Sequence, residues 1–186
     1  LRADPVCLLP QGDGLLLQPG ADLDVSLAQS RDLVNEIRQV FAADGWHLEV
    51  PVAQRWYLRP ATAPVVQTTP LARVAGRDIH AFLPTGKDAK AWHVALNEIQ
   101  IILHTAAVNV ERESRGQPPI NSVWFWGGGT RPVLPPVKWV HLWSDEVLSR
   151  GLATLAGLAH SAQPRDAAEW LAQAQGGAHL LVDRRG

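Results

Sequence analysis

The stretch from Asp88 to about Ala106 constrains the fold of this chain most. Trp92, Leu96, Ile99 and Leu103 recur at helical spacing, and Ala95 and Ile102 widen the stripe they make. An amphipathic helix of this length must bury that stripe against another layer. The segments before it are short and strand-like, and they come in pairs joined by tight turns. Val6 to Leu9 and Leu15 to Leu17 flank Gln11-Gly12-Asp13-Gly14, a hairpin turn. Trp46 to Val50 alternates apolar and polar residues, and Arg55 to Arg59 reads as its antiparallel partner, with Trp56 and Leu58 on one face. Hairpins followed by a helix, and not βαβ units, predict an α+β fold: a single domain over residues 1–186, with a mixed or mainly antiparallel sheet and helices packed on it.

The remaining elements fit this scheme. Ser26 is placed to cap a helix running to about Ala43 and stopped by Asp44-Gly45. Pro64 and Pro70 keep Pro60 to Pro70 from being a central strand. A helical turn ends at Arg112 to Gly116, and Ser122 to Trp126 is a strand. Val137 to Leu142 is another strand, Glu146 to Leu158 and Asp166 to Ala174 are helices, and His179 to Val182 is a last strand. Neither a repeat nor a clear linker divides the chain.

Composition excludes several functional classes. Apolar residues make up 46% of 186 residues, enough for a real core. A net charge of −1 leaves no broad basic field to hold nucleic acid or an anionic membrane. No apolar run approaches the roughly 20 residues of a transmembrane helix, and no signal peptide is visible. With one cysteine, Cys7, no internal disulfide forms, which points to a reducing, cytoplasmic setting. Cys7 sits in an apolar strand and reads as an inert core thiol. The chain begins at Leu1 and has no Met, which is read as a fragment or processed product lacking an N-terminal region. Eight tryptophans against one tyrosine are the other oddity: they build a core, a groove wall, or both.

Two places are candidates for chemistry. In Gly127-Gly128-Gly129 the glycines permit close backbone approach to a ligand, and consecutive N–H groups there can cradle an anion. Arg131 follows, and Arg112 and Arg115 lie upstream. The triplet opens no helix, and Pro132 to Pro136 follows, so this is neither a Walker loop nor a dinucleotide fingerprint. On these residues alone a structural turn is favoured over a ligand loop. The second candidate is a polar stripe on the long helix: His93, Asn97, Gln100 and His104. His93 and His104 lie about 16 Å apart along a helix, too far to share one ion, so a hydrogen-bonded seam against another element is favoured. No nucleophile elbow is present. Asp4, Asp13, Asp22 and Asp24 read as turn and cap residues, and Glu98 and Glu111 lack a visible partner.

From Val108 to Pro132 the chain reads VNVERESRGQPPINSVWFWGGGTRP. This resembles a pattern of RpfE-type regulatory proteins, a family often described as phosphoglycerate mutases. The segments RADPV at 2–6, RWYLR at 55–59, GRDI at 76–79, LPTGKDAKAWHVALNEIQIILH at 83–104 and GGAHLLV at 176–182 fit it too, in order. A shorter Asn-x-x-Trp-x-Trp-Gly-x-Gly form is similar to one in archaeal-type cofactor-independent phosphoglycerate mutases of the alkaline phosphatase superfamily. The resemblance implies a domain inserted into a core that carries two divalent metals and a Ser or Thr nucleophile. It places Asn121, Trp124, Trp126, Gly127 and Gly129 on a substrate-side surface, and extends that ligand-facing set to Asn109, Arg112, Gly128 and Arg131.

This chain departs from that pattern. It has no metal-binding Asp-Gly segment, no Asp/His set and no nucleophile at the expected places. The expectations are therefore ranked. First is a domain without catalysis of its own that binds a small phosphorylated metabolite in a regulatory role. Next is an interaction module whose Trp-rich surface meets a protein partner or the lacking N-terminal region. Last is the substrate-side part of an active, metal-dependent isomerase. No cofactor is expected in this chain, and a divalent metal only where an N-terminal region supplies ligands.

Overall fold

The computed structural model describes residues 1–182. Contacts within the chain gather into two compact units, Leu1–Thr130 and Arg131–Gly186. The fold class is α+β, with a mainly antiparallel sheet and helices packed on it.

The first unit opens on β1 (Arg2–Gln11), which turns through Gly12, at φ +59°, into β2 (Gly14–Pro19). Ser26 then caps α1 (Leu27–Phe41). Its side chain accepts from the Gln29 N–H while the Gln29 side chain accepts from the Ser26 N–H, a reciprocal capping box. The hairpin β3 (His47–Val52) and β4 (Arg55–Arg59) follows, then the short α2 (Leu71–Val74). The long α3 (Ala89–His104) leads into α4 (Ala107–Ser114) and β5 (Ser122–Trp126). The sheet runs β2-β1-β4-β3, and β5 pairs antiparallel with β1 through Arg2↔Trp126 and Asp4↔Trp124.

The expected apolar stripe of α3 is the buried one: Trp92, Ala95, Leu96, Ile99 and Leu103. It meets α1 and the inner face of the sheet in a core built on aromatic rings. Phe41 stacks on Trp46 and Trp46 on Trp92, while Phe125 meets both tryptophans edge-on. Cys7 is fully buried in this core, and burial pushes its thiol pKa up, away from the reactive thiolate.

The second unit contains β6 (Trp139–Trp143), α5 (Val147–Leu155), β7 (Ala159–Ser161), α6 (Ala167–Gln173) and β8 (Ala178–Leu181). Its strands are parallel, ordered β7-β6-β8. The helix between each pair of strands supplies the crossover that parallel pairing needs. The sequence pattern had no reading for β7, because three residues are too few to show an alternation. No helix among the described residues is long and apolar enough to cross a membrane.

Candidate ligand groove beside the glycine turn

The segment from Asn109 to Trp124 acts as a set of internal clamps. Asn109 is buried, and its amide donates to the carbonyls of Leu103 (2.7 Å) and Ile120 (2.9 Å) while accepting from the Ile120 N–H (2.8 Å). This ties the end of α3 to the approach to β5. Arg112 is 0% exposed. Its guanidinium donates to the carbonyls of Pro118, Asp24 and Leu23 and to the Gln29 side chain. Burial lowers its pKa, and the Asp24 charge opposes that shift. Asn121 accepts from the Leu8 N–H and donates to the Leu8 carbonyl, extending the β1 pairing with a side chain. Trp124 is buried and donates its indole N–H to the Thr69 carbonyl at 2.8 Å.

These geometries correct part of the expectation. Asn109, Arg112 and Trp124 are buried with their polar groups spent inside the unit, so they hold the surface in place and do not face a ligand. Arg115 is exposed but pairs with Glu111 one helical turn away. The polar stripe of α3 is corrected as well. His93 Nε2 bonds the Pro84 carbonyl, but Asn97 and His104 are exposed and Gln100 is half-buried. The stripe is mostly a solvated face and not a seam.

Trp126 and the glycines after it remain at the surface. Trp126 donates its indole N–H to Asp4 at 2.7 Å. Asp4 also takes two bonds from Arg2, at 2.9 and 2.7 Å. The Arg2 guanidinium lies 4.9 Å from the Trp126 ring centre and 5.4 Å from that of Tyr57. Register explains the grouping: Glu49↔Tyr57, Tyr57↔Arg2 and Arg2↔Trp126 form one cross-strand row over β3, β4, β1 and β5. Asp4 is 1% exposed, so it is not the turn residue expected of it. Burial raises its pKa, while the Trp126 and Arg2 bonds pull it back. Sequence reading missed Arg2, Asp4 and Tyr57 because Pro5 masked the first half of β1. The signal was present as Arg2 and Asp4 two apart, on one face of a strand.

Gly127 turns the chain at φ +66°, a conformation that favours glycine. Beyond it the backbone N–H groups of Gly128 and Gly129 make no hydrogen bond among the described residues. They border a groove of about 380 Å³ whose other walls include Leu58, Arg59, Pro64 and Val66. Arg131 is exposed and opens the second unit. In that unit Trp143 is buried and donates its indole N–H to His179 Nδ1 at 3.0 Å, whereas Trp139 is 42% exposed. No group of three or more His, Cys, Asp or Glu among the described residues could hold a metal ion. The two metals that the family resemblance implies find no donor set among the described residues.

No family model matches the chain. It is similar to the 2,3-bisphosphoglycerate-independent phosphoglycerate mutase of Methanosarcina barkeri, 29% identical over 97 residues, which is 50% of this chain and 24% of that protein. A probable mutase of the same kind from Geobacter sulfurreducens is 26% identical over 163 residues, 84% of this chain and 41% of that protein. The chain thus spans only a quarter to two fifths of these relatives. Among solved structures it is similar to the cofactor-independent phosphoglycerate mutase of Thermoplasma acidophilum, with a TM-score of 0.50 and 15% identity, covering 97% of this chain and 52% of that one. It also matches the PH0037 protein of Pyrococcus horikoshii, with a TM-score of 0.52 and 16% identity, covering 87% of this chain and 38% of that one. By these likenesses the chain is similar to a part of cofactor-independent phosphoglycerate mutases.

Proposed function

We propose that this chain is a phosphoglycerate-mutase-like module that binds a small phosphorylated metabolite beside its glycine turn, in a regulatory role and without catalysis of its own. One observation carries this reading. Two unengaged backbone N–H groups, at Gly128 and Gly129, border a groove that Arg59 also lines. Unpaired N–H groups with a nearby guanidinium are an anion cradle. The groove suits a ligand of a few heavy atoms and not a polymer. The relatives named above are mutases of phosphorylated three-carbon acids, which makes such acids the first ligands to try.

Calorimetric titration with 3-phosphoglycerate is the test, and a saturable signal is expected. Gly128→Val should abolish it, since a Cβ at that position meets the Leu1 side chain at 3.1 Å and bulk beyond it fills the groove. A wild-type chain that gives no binding signal sinks the reading. A mutase assay with added Mn²⁺ is expected to show no turnover by this chain.

A second reading rests on the other unit, where Trp139, Val140, Leu148 and Leu171 are all exposed. Exposed large apolar side chains favour a protein partner. Dye binding by exposed apolar surface, reduced in Trp139→Ser, supports that reading; no dye binding counts against it.

A further inference from the structure

The groove borders a second feature, of which the reading above uses only Arg59. His47, the first residue of β3, pairs directly with Arg59, the last residue of β4. Both side chains are exposed, and neither makes a hydrogen bond or ion pair among the described residues. An exposed arginine without a partner is ordinary in itself. Its setting here is not. Directly opposed positions on one sheet face favour opposite charges, and like charges there destabilise. This position instead sets a guanidinium against an imidazole, and the nearest carboxylate along the face, Glu49, is paired with Tyr57 in the next row. Tyr57 in turn lies under the Arg2 guanidinium, which Asp4 holds.

Two hollows meet at Arg59. Arg59 lines the groove that contains Gly128 and Gly129, and it also lines a hollow of about 280 Å³ with His47, Glu49 and Tyr57. Arg59 is therefore shared between the backbone N–H groups on one side and the imidazole on the other.

We propose that His47 and Arg59 form a phosphate-contacting pair in the hollow that adjoins the glycine-turn groove, taking the phosphate monoester of the ligand and leaving its carboxylate to the groove. This rests on the reading of the groove as an anion site. The chemistry favours phosphate over carboxylate. A guanidinium presents a planar fork to two phosphate oxygens, and an imidazole N–H on the adjacent strand reaches a third. Cross-strand side chains lie about 5 Å apart at Cβ, a span that a tetrahedral group with three free oxygens bridges. A planar carboxylate, with two oxygens, satisfies the fork alone. Glu49, two residues from His47 on the same strand face, lines the same hollow and sets a limit, because its carboxylate disfavours a second anion there.

Calorimetry on the full chain tests this, with 3-phosphoglycerate, inorganic phosphate and unphosphorylated glycerate as probes. The wild type should bind 3-phosphoglycerate at least about tenfold more tightly than glycerate. Arg59→Ala should lose about tenfold or more of that affinity while leaving glycerate binding little changed, Arg59→Lys should recover part of it, and His47→Gln should cost a few-fold. Arg55→Ala, at the opposite end of β4 beside Val52, is the charge control and should bind as the wild type does. Thermal melts of each variant establish that the exposed substitutions fold. If wild-type binding is intact in Arg59→Ala, or is lost equally in Arg55→Ala, the pair is wrong while the groove reading stands. If glycerate binds as tightly as 3-phosphoglycerate, the phosphate assignment falls. If the wild type binds none of the three, both readings fall together.

Discussion

The two units of this chain build their interiors differently. In Leu1–Thr130 the polar groups next to the core are satisfied by partners within the unit. Asn109, Arg112, Asn121 and Trp124 each close a gap between two elements with a named bond. The second unit has a smaller interior. Among its described residues Leu142, Trp143 and Ala153 are buried, and Trp139, Val140, Leu148, Leu171 and Leu181 stay exposed. Its polar contacts are titratable, with the His141 and His179 rings stacked at 5.9 Å and Trp143 bonded to His179. The difference teaches where stability and sensitivity lie. Buried amide and guanidinium bonds do not depend on pH near neutrality, whereas imidazole contacts do.

Four changes break or sharpen this contrast. The largest effect is expected from Trp124→Ala, which leaves a cavity in the first unit and orphans the Thr69 carbonyl. Urea unfolding should show a loss of about 3–5 kcal/mol. A loss under 1 kcal/mol, as for a surface site, would mean that Trp124 is not the anchor its burial indicates. Next is Arg112→Leu, which keeps an apolar side chain at the site but leaves the Leu23 and Pro118 carbonyls without a donor. A cost of about 2–3 kcal/mol is expected in the same experiment, and an unchanged midpoint would show that water replaces the guanidinium. Ser26→Ala removes half of the capping box and should cost about 1 kcal/mol, read as a lower melting temperature; Ser26→Asp should restore it.

The smallest effect concerns pH and sets the units against each other. Burial first, then the neighbouring His179 and His160, holds the His141 pKa below the ordinary histidine range. The folded state therefore binds fewer protons at this site than the unfolded one. Its contribution is present above the unfolded value of about 6.5 and is lost as pH falls through the lower folded value. Asp4 runs the other way, because burial raises its pKa. Folding then favours the protonated acid, and stability from this group falls as pH rises through the carboxylate range. Hydrogen exchange at pH 7.5 and 5.5 should show the amides of β6 and β8 losing protection on acidification while those of β1 and β5 hold. His141→Gln should remove the change in the second unit, and its persistence in that variant would exonerate His141.

Much of the architecture was legible from residue order alone. The α3 stripe, the Ser26 cap, the β3–β4 hairpin and the strand ending at Trp126 all depend on neighbours within a few positions, where period and capping chemistry act. The candidate site was legible in part. The glycine turn and Trp126 stand at the surface, but Asn109, Arg112 and Trp124 proved to be clamps. A motif shows that residues matter together; it does not show which way they point.

Only the tertiary structure decided the rest. Arg2, Tyr57 and Trp126 lie far apart in sequence and meet through strand register, in which each pairing sets the position of the next. The His47–Arg59 pair arises in the same way, from a hairpin whose two ends close on one another. The parallel order of β6, β7 and β8 depends on crossovers that local periodicity does not encode. Local rules act over a few residues and specify helices, caps and turns. Register and burial are global, because each depends on every element packed above and beside it.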